Sequence, residues 1–307
     1  MTDPLLLAEE LEAGLGQPIE ELHLIPGGAS QETWSFGAVR PDGSRRPLIA
    51  RRRVRPPVVP PVDEAALLRA AAAAGVPVPA VVLDKPYLVV ERVEGEGNPR
   101  RLLRDDRWKA VRPRLAEQCG EALARIHQIP LTAVEGLPEP DPVGAWRDTL
   151  DASGHPHPAF ELALRWLEEH RPSPAGRVVV HGDFRNGNLI VGPDGVAAVI
   201  DWELAHIGDP LSDLAWLCQK AWRYGSDEPV GGFGALEDLL GAYEKAGGTE
   251  VDREALRWWQ VQATLRWGVI CVALLDSHRS GELPPMEQAA VGRRACETEW
   301  DLLELIA

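Results

Sequence analysis

Residues 177–216 read RVVVHGDFRNGNLIVGPDGVAAVIDWELAHIGDPLSDLAW. The apolar run Arg177 to Val180 reads as a strand. His181, Gly182 and Asp183 follow it directly, and Asn188 stands five residues past Asp183. Asn188 to Val191 and Val196 to Ile200 are apolar runs split by Gly192-Pro193-Asp194-Gly195, the composition of a hairpin turn. Asp201 sits at the end of the second run, followed by Trp202 and Glu203. Further on, Asp209-Pro210 ahead of an apolar run reads as a helix N-cap followed by proline at the first helical position. A tight loop therefore carries Asp183 and Asn188, and a hairpin delivers Asp201.

These residue types in this order suit phosphoryl transfer. That reaction asks little covalent chemistry of the protein. It needs a carboxylate to orient an acceptor hydroxyl and take its proton, and oxygen ligands to hold Mg²⁺ on the nucleotide phosphates. The H-x-D-x-x-x-x-N spacing places base and metal ligand on one loop. Asp201 supplies a second anchor, and Mg²⁺ prefers one or two carboxylates plus phosphate oxygens and water. A lone Asp on a loop is usually a turn residue, but three such groups in this order argue against that reading. A two-metal phosphoesterase would want histidine ligands, and His206 is the one extra local candidate. Glu203 reads equally as a metal neighbour through water or as a surface or ion-paired residue.

The segment resembles the aminoglycoside phosphotransferase and choline kinase-like enzymes, a branch of the protein-kinase-like fold. It is most similar to the phosphotransferase domains fused to acyl-CoA dehydrogenases and to their stand-alone bacterial relatives. His181-Gly182-Asp183, Asn188, Ile200-Asp201-Trp202-Glu203 and Gly208-Asp209-Pro210 stand in the family's order. The resemblance implies an α+β, two-lobed kinase-like fold with a small β-rich N-terminal lobe and a larger helical C-terminal lobe. It implies Asp183 as catalytic base, Asn188 and Asp201 as Mg²⁺ ligands, and His181 as a buttress of the catalytic loop.

The rest of the chain fits this order. Residues 4–15 read as a short amphipathic helix. Leu22 to Ile25, Glu32 to Phe36, Pro47 to Arg53, Val76 to Leu83 and Tyr87 to Val93 read as strands, with a helix over Asp63 to Ala74. Residues 1–93 are the expected nucleotide-binding lobe, with a linker near 91–97. Residues 94–307 are the expected helical lobe with catalytic loop and acceptor site. Helical spacing recurs at Leu115, Cys119, Ala122 and Ile126, over 158–170, and at Leu256, Trp259, Ala263, Trp267, Ile270 and Leu274, where the tryptophans read as core.

The resemblance puts a phosphate-covering loop at Gly27, Gly28 and Ser30. It puts backbone contacts to the adenine edge at Glu91 and Val93. It also asks for a lysine on the third strand, which here reads Pro47-Leu48-Ile49-Ala50-Arg51-Arg52-Arg53. Arg51 is the positional match and Glu64 its expected partner. Alternation places Arg51 and Arg53 on one face and Arg52 on the other, so the register is open at this stage. An arginine is a forked donor and no geometric copy of lysine.

Composition narrows the classes. The chain has 307 residues, 45% hydrophobic and 26% charged, which suits a soluble globular protein burying roughly three-quarters of its unfolded surface. A formal charge of −15 disfavours a nucleic-acid partner, which needs a basic footprint. Cys119, Cys218, Cys271 and Cys296 form no C-x-x-C pair and read as reduced, mostly buried thiols of a cytoplasmic protein. The N-terminus lacks the basic start of a signal peptide, and no apolar run is long enough for a membrane span. No G-K-[ST] excludes a P-loop. Only seven residues separate Asp201 from Asp209 and no A-P-E follows, which leaves no room for a long activation loop.

The expected activity is ATP- and Mg²⁺-dependent phosphorylation of a hydroxyl on a small molecule, a hydroxyacyl-type metabolite ahead of an aminoglycoside. The acceptor should lie within 205–285, with Trp216, Trp222 and Tyr224 as candidates. The alternative is an inactive nucleotide-binding pseudokinase or scaffold, for which the missing lysine speaks.

Overall fold

The computed structural model describes residues 3–26, 31–53, 62–281 and 286–307. Helix α1 (Pro4–Leu15) leads into β1 (Ile19–Ile25), β2 (Gln31–Val39) and β3 (Arg45–Arg53). Helix α2 (Glu64–Ala73), β4 (Val81–Leu83) and β5 (Leu88–Glu91) follow. The strands form an antiparallel sheet in the order β1-β2-β3-β5-β4. Side-chain alternation sorts the two faces of this sheet. Trp34, Phe36, Leu48, Ala50 and Val89 bury one face against Leu7 and Leu11 of α1. Ile49 and Val90 point the other way and join the main core with Leu67 and Leu68 of α2.

Most of the remaining chain is helical: α3 (Pro99–Arg104), α4 (Leu115–His127), α5 (Gly144–Ser153) and α6 (Pro158–Glu169) come first. Then come β6 (Val178–Val180), the hairpin β7 (Leu189–Gly192) and β8 (Gly195–Val199), and β9 (His206–Gly208), which pairs with β6. Helices α7 (Leu211–Leu217), α8 (Leu236–Lys245), α9 (Arg253–Arg279), α10 (Met286–Gly292) and α11 (Ala295–Ile306) complete it. The whole is α+β, a five-stranded antiparallel sheet followed by a helical portion.

Helix α9 is the axis of that portion. Asp252 starts it by accepting the N–H groups of Glu254 and Ala255, which removes two of the orphan donors of a helix start. Its first half is buried nearly all round, including Trp258 and Trp259, so the tryptophans of that half are core as expected. Trp267 is half-buried and packs against the same core. Helices α4 and α8 meet closely at Gly120, where a Cβ would lie 2.3 Å from the Leu239 carbonyl oxygen. Among the described residues no helix is long and apolar enough to cross a membrane.

Some expectations need correction. The strand expected from Val76 is present only from Val81. Pro77 and Pro79 have no N–H to give a ladder, and the Pro77 carbonyl instead accepts the Val199 N–H at 2.8 Å. Strand β9 has no counterpart in the sequence reading, because three residues give too short a pattern. Helix α7 starts at Leu211 with Pro210 flanking it. Asp209 still does the capping: its Oδ1 accepts the Leu211 N–H at 2.9 Å and its Oδ2 the Ala175 N–H at 2.8 Å. Cys119, Cys218 and Cys271 are buried free thiols, whereas Cys296 is exposed. Gly27, Gly28 and Ser30 lie outside the described residues.

Candidate active site

The loop after β6 is held from below by a buried carboxylate. Asp213, in the first turn of α7, accepts the N–H of His181 at 2.8 Å through Oδ2 and of Gly182 at 3.0 Å through Oδ1. His127, closing α4, approaches Oδ2 at 3.3 Å through Nε2, and its Nδ1 meets the Tyr243 hydroxyl at 2.9 Å. Burial works to raise the Asp213 pKa, yet the His127 bond and charge, with the backbone N–H bonds, hold it below the usual aspartate range. Gly182 is required here: its φ is +80°, and a Cβ would lie 2.2 Å from the Leu204 carbonyl oxygen.

His181 is fully buried. Its Nδ1 accepts the Asp183 N–H at 3.2 Å, so the proton resides on Nε2, which donates to the Ile200 carbonyl at 3.2 Å. Burial pushes its pKa down against the nearby aspartates. The ring packs on Trp202 at 4.7 Å and edge-on to Phe184 at 5.8 Å. A neutral, doubly bonded ring in the core positions the loop.

Asp183 carries four hydrogen bonds on its two carboxylate oxygens. Arg185 Nε donates to both at 3.1 Å, Trp216 Nε1 to Oδ1 at 2.8 Å, and Asn188 Nδ2 to Oδ2 at 2.6 Å. Asn188 Nδ2 also donates to the Asp183 carbonyl at 3.0 Å, which fixes the amide and turns its oxygen the other way. The Asn188 carbonyl accepts the Ile200 N–H at 3.0 Å, so the hairpin brings Asp201 beside Asn188. Asp201 has φ +69°, a conformation that aspartate tolerates better than most residues.

From the N-terminal sheet, Arg51 reaches the same place. Its Nη2 donates to Asp201 Oδ1 at 2.6 Å and its Nη1 is bonded to Glu64. Burial opposes the Arg51 charge, but Glu64 and Asp201 outweigh it and raise its pKa. Arg52 instead lies over the Tyr87 ring. Burial pushes the Glu64 carboxyl up; Arg51 and the Trp202 N–H pull it down, and the Asp201 and Glu203 charges raise it further. Glu203 accepts from Gln31 Nε2 at 2.9 Å. Three carboxylates thus surround one guanidinium, a surplus of negative charge that suits a hard cation. The oxygens of Asn188 and Asp201 are the donor type Mg²⁺ takes, and a mixed amide and carboxylate pair leaves room for water and phosphate.

The expected N-terminal contacts are placed as follows. Glu91 pairs with Arg46 through its side chain at 2.7 Å, and its N–H donates to the Ala80 carbonyl at 2.9 Å. Val93 follows β5 in the chain. His206 makes a local contact to the Leu204 carbonyl at 3.0 Å, and among the described residues no group of three or more His, Cys, Asp or Glu forms a metal cluster. The sequence reading missed Asp213, His127, Arg185, and Arg266, whose Nη2 donates to the Gly182 carbonyl at 2.8 Å. The signal for Asp213 was a carboxylate inside the apolar run Leu211 to Leu217. Arg185 stood inside the motif itself.

Two expectations follow. Asp213→Asn replaces one acceptor oxygen with a donor facing the loop N–H groups, so unfolding free energy should fall by about 3–5 kcal/mol, read by urea denaturation. Burial depresses the pKa of His181 and of His206, so the unfolded chain binds protons that the native chain refuses. Stability from these rings is complete above the unfolded histidine value of about 6.5 and is lost as pH falls below it. Denaturation at pH 7.5 and 5.5 should show the loss, and His181→Gln should show less of it.

Comparison with known proteins fits this geometry. Residues 21–259 match the model of the phosphotransferase enzyme family. Acyl-CoA dehydrogenase family member 10 of Mus musculus is 31% identical over 199 residues, 56% of this chain; the chain spans about a fifth of that protein, 18% of its length. Among solved structures, a Ralstonia eutropha protein assigned to the aminoglycoside phosphotransferases superposes with a TM-score of 0.74 at 20% identity, covering 99% of this chain and 98% of that one. A spectinomycin phosphotransferase in complex with ADP and spectinomycin gives 0.70 at 15% identity, covering 97% and 98%. These likenesses establish the two-lobed kinase-like fold, and the family match establishes membership. The chain belongs to the phosphotransferase enzyme family, enzymes that transfer phosphoryl groups to hydroxyls of small molecules.

Proposed function

We propose that this chain transfers the γ-phosphoryl group of ATP to a hydroxyl of a small molecule, with Mg²⁺. The observation that carries the reading is the convergence of Asp183, Asn188 and Asp201 under Arg51 and Glu64. Two elements of the helical portion and two of the sheet portion meet there.

In this reading Asp183 orients the acceptor hydroxyl. The carboxylate already accepts four bonds, which fills its roughly four lone-pair sites. The incoming hydroxyl therefore replaces Arg185, the donor that is itself exposed on one side. The acceptor oxygen then forms a bond to the γ-phosphorus as the bond to the β–γ bridging oxygen breaks. The electron pair leaves on the ADP oxygen, and the hydroxyl proton passes to Asp183. Asn188 and Asp201 would hold the metal, which neutralises charge on the phosphates when bound. His181 keeps the loop in place and takes no proton.

Arg51 is assigned to the α- and β-phosphates, steadied by Glu64, with Gly27, Gly28 and Ser30 covering them. At the adenine edge the Glu91 N–H is already committed to Ala80, so the Glu91 carbonyl and the Val93 main chain are the contacts. The acceptor is assigned as a hydroxyacyl-type metabolite. Support comes from the 31% identical relative, named for acyl-CoA chemistry. Residues 1–93 and 94–307 are the proposed nucleotide and acceptor lobes.

The test is thermal unfolding with ATP and Mg²⁺. A ligand at 100 times its Kd stabilises by about 2.7 kcal/mol. Wild type should shift with both present and Asp201→Ala should not. Asp183→Asn should keep the shift but lose about 10²–10⁴-fold in phosphoryl transfer. A shift without any transfer or acceptor-free ATP hydrolysis would favour the pseudokinase; no shift with any nucleotide would sink both readings.

A further inference from the structure

Beside Asp183 the structure builds a wall of aromatic rings carrying arginines. Trp216, which donates to Asp183, packs edge-on to Trp222 at 5.4 Å, and Trp222 packs on Trp267 at 4.8 Å. Arg185 lies over Trp222 at 4.7 Å, Arg266 over Trp216 at 4.0 Å and Arg294 over Trp267 at 5.8 Å. Arg185 also meets the start of α3: a Cβ on Gly187 would lie 2.7 Å from Arg185 Nη1 and 3.8 Å from Cγ of Pro99, the residue before Arg100.

The wall is short of acceptors. Trp222 Nε1, Trp267 Nε1 and Arg266 Nε are buried and have no hydrogen-bond partner. Arg266 is itself tied to the loop, its Nη2 donating to the Gly182 carbonyl at 2.8 Å; an unmet buried donor is costly, so the two indole N–H groups of Trp222 and Trp267 point to something that arrives bearing oxygens. Among the described residues, the carboxylates facing this cluster are Asp183, shared with Arg185, Asp213, which acts on Arg266 from below, and Glu297, paired with Arg294 at 3.0 Å. Arg100, at the start of α3, is exposed. In a chain of net charge −15 this is a local basic surface beside the phosphotransfer loop. A cationic acceptor would meet arginines there, at a cost in like-charge repulsion.

We propose that the acceptor is an anion, a hydroxyl compound bearing a carboxylate or phosphate that docks on the Trp222–Trp267 wall between Arg100 and Arg294. The site rests on the phosphotransfer reading and specifies the acceptor class for it. Arg100 and Arg294 choose the substrate, while Asp183 performs the chemistry. Release of Arg185 from Asp183 adds a third positive group to the pocket as the acceptor enters.

The experiment compares four compounds: 3-hydroxybutyrate, its coenzyme A thioester, its neutral methyl ester, and kanamycin. The free acid and the thioester separate a carboxylate from phosphates as the recognised anion. ADP formation should proceed with at least tenfold higher kcat/KM for one or both anions than for the ester or kanamycin. Arg100→Gln and Arg294→Gln should raise KM for the anions about tenfold. Arg294→Lys should recover most of the loss. Tryptophan fluorescence with Mg²⁺–ADP present gives a second readout that needs no turnover. A response to the anions that weakens in the Gln variants supports the pocket. Equal or better use of the ester or kanamycin, variants indistinguishable from wild type, or no fluorescence response to either anion overturns it. A fluorescence response to anions without any nucleotide-induced thermal shift would leave this pocket standing while removing the kinase reading.

Discussion

A single buried carboxylate holds the loop that carries Asp183. Asp213 is wholly enclosed, and its two oxygens are met by two consecutive backbone N–H groups and by His127. An isolated buried charge would be untenable; with these donors the charge becomes the anchor of the loop. Because the N–H groups belong to His181 and Gly182, they fix the backbone leading into Asp183, whose carboxylate is then held by Asn188, Trp216 and Arg185. The same interaction ties α7 to α4 through His127 and to α8 through Tyr243. Packing of three helices thus fixes the position of one loop, which is how a remote core can set the geometry of a reacting group.

The sheet meets this loop through charge. Arginine on β3 does something a lysine would do less well: its fork spans two carboxylates on different parts of the fold, Glu64 of α2 and Asp201 beyond β8. The bridge draws the sheet onto the hairpin while leaving the local charge negative. Glu64, Asp201 and Glu203 outnumber Arg51; burial is the main cause that pushes the Glu64 carboxyl up, Arg51 pulls it back, and the Asp201 and Glu203 charges add to the rise. A metal and a triphosphate would enter a site that already carries the compensating groups of each sign.

Much of this was legible because punctuation and spacing are local signals. The hairpin from Leu189 to Val199 follows from two apolar runs and a Gly-Pro-Asp-Gly turn. The loop from His181 to Asn188 follows from a motif that needs only eight residues. Arg51 could be placed on β3, but choosing it over Arg52 or Arg53 required the register against β2 and β5. Asp213, His127 and Tyr243 were illegible as a unit, since they lie on three helices and meet only through tertiary packing. The stretch from Val76 misled because β-branched residues outvoted two prolines that cannot donate to a ladder.

In the proposed reading, chemistry and selectivity come from different parts of the molecule. Asp183, the proposed base, is held by its own loop, by Asn188 and by Trp216 of α7, with the loop anchored in the core through Asp213. The wall beyond it comes from elsewhere: Trp222 follows α7, Trp267 lies on α9, and Arg294 stands between α10 and α11. Changes at those positions can alter which molecule presents its hydroxyl without disturbing the carboxylate that receives it. A scaffold of this kind can keep one reaction and exchange its acceptors, because the proposed recognising parts meet the proposed reacting parts at a few residues: Trp216, Arg185, and Arg266, whose Nη2 donates to the Gly182 carbonyl at 2.8 Å.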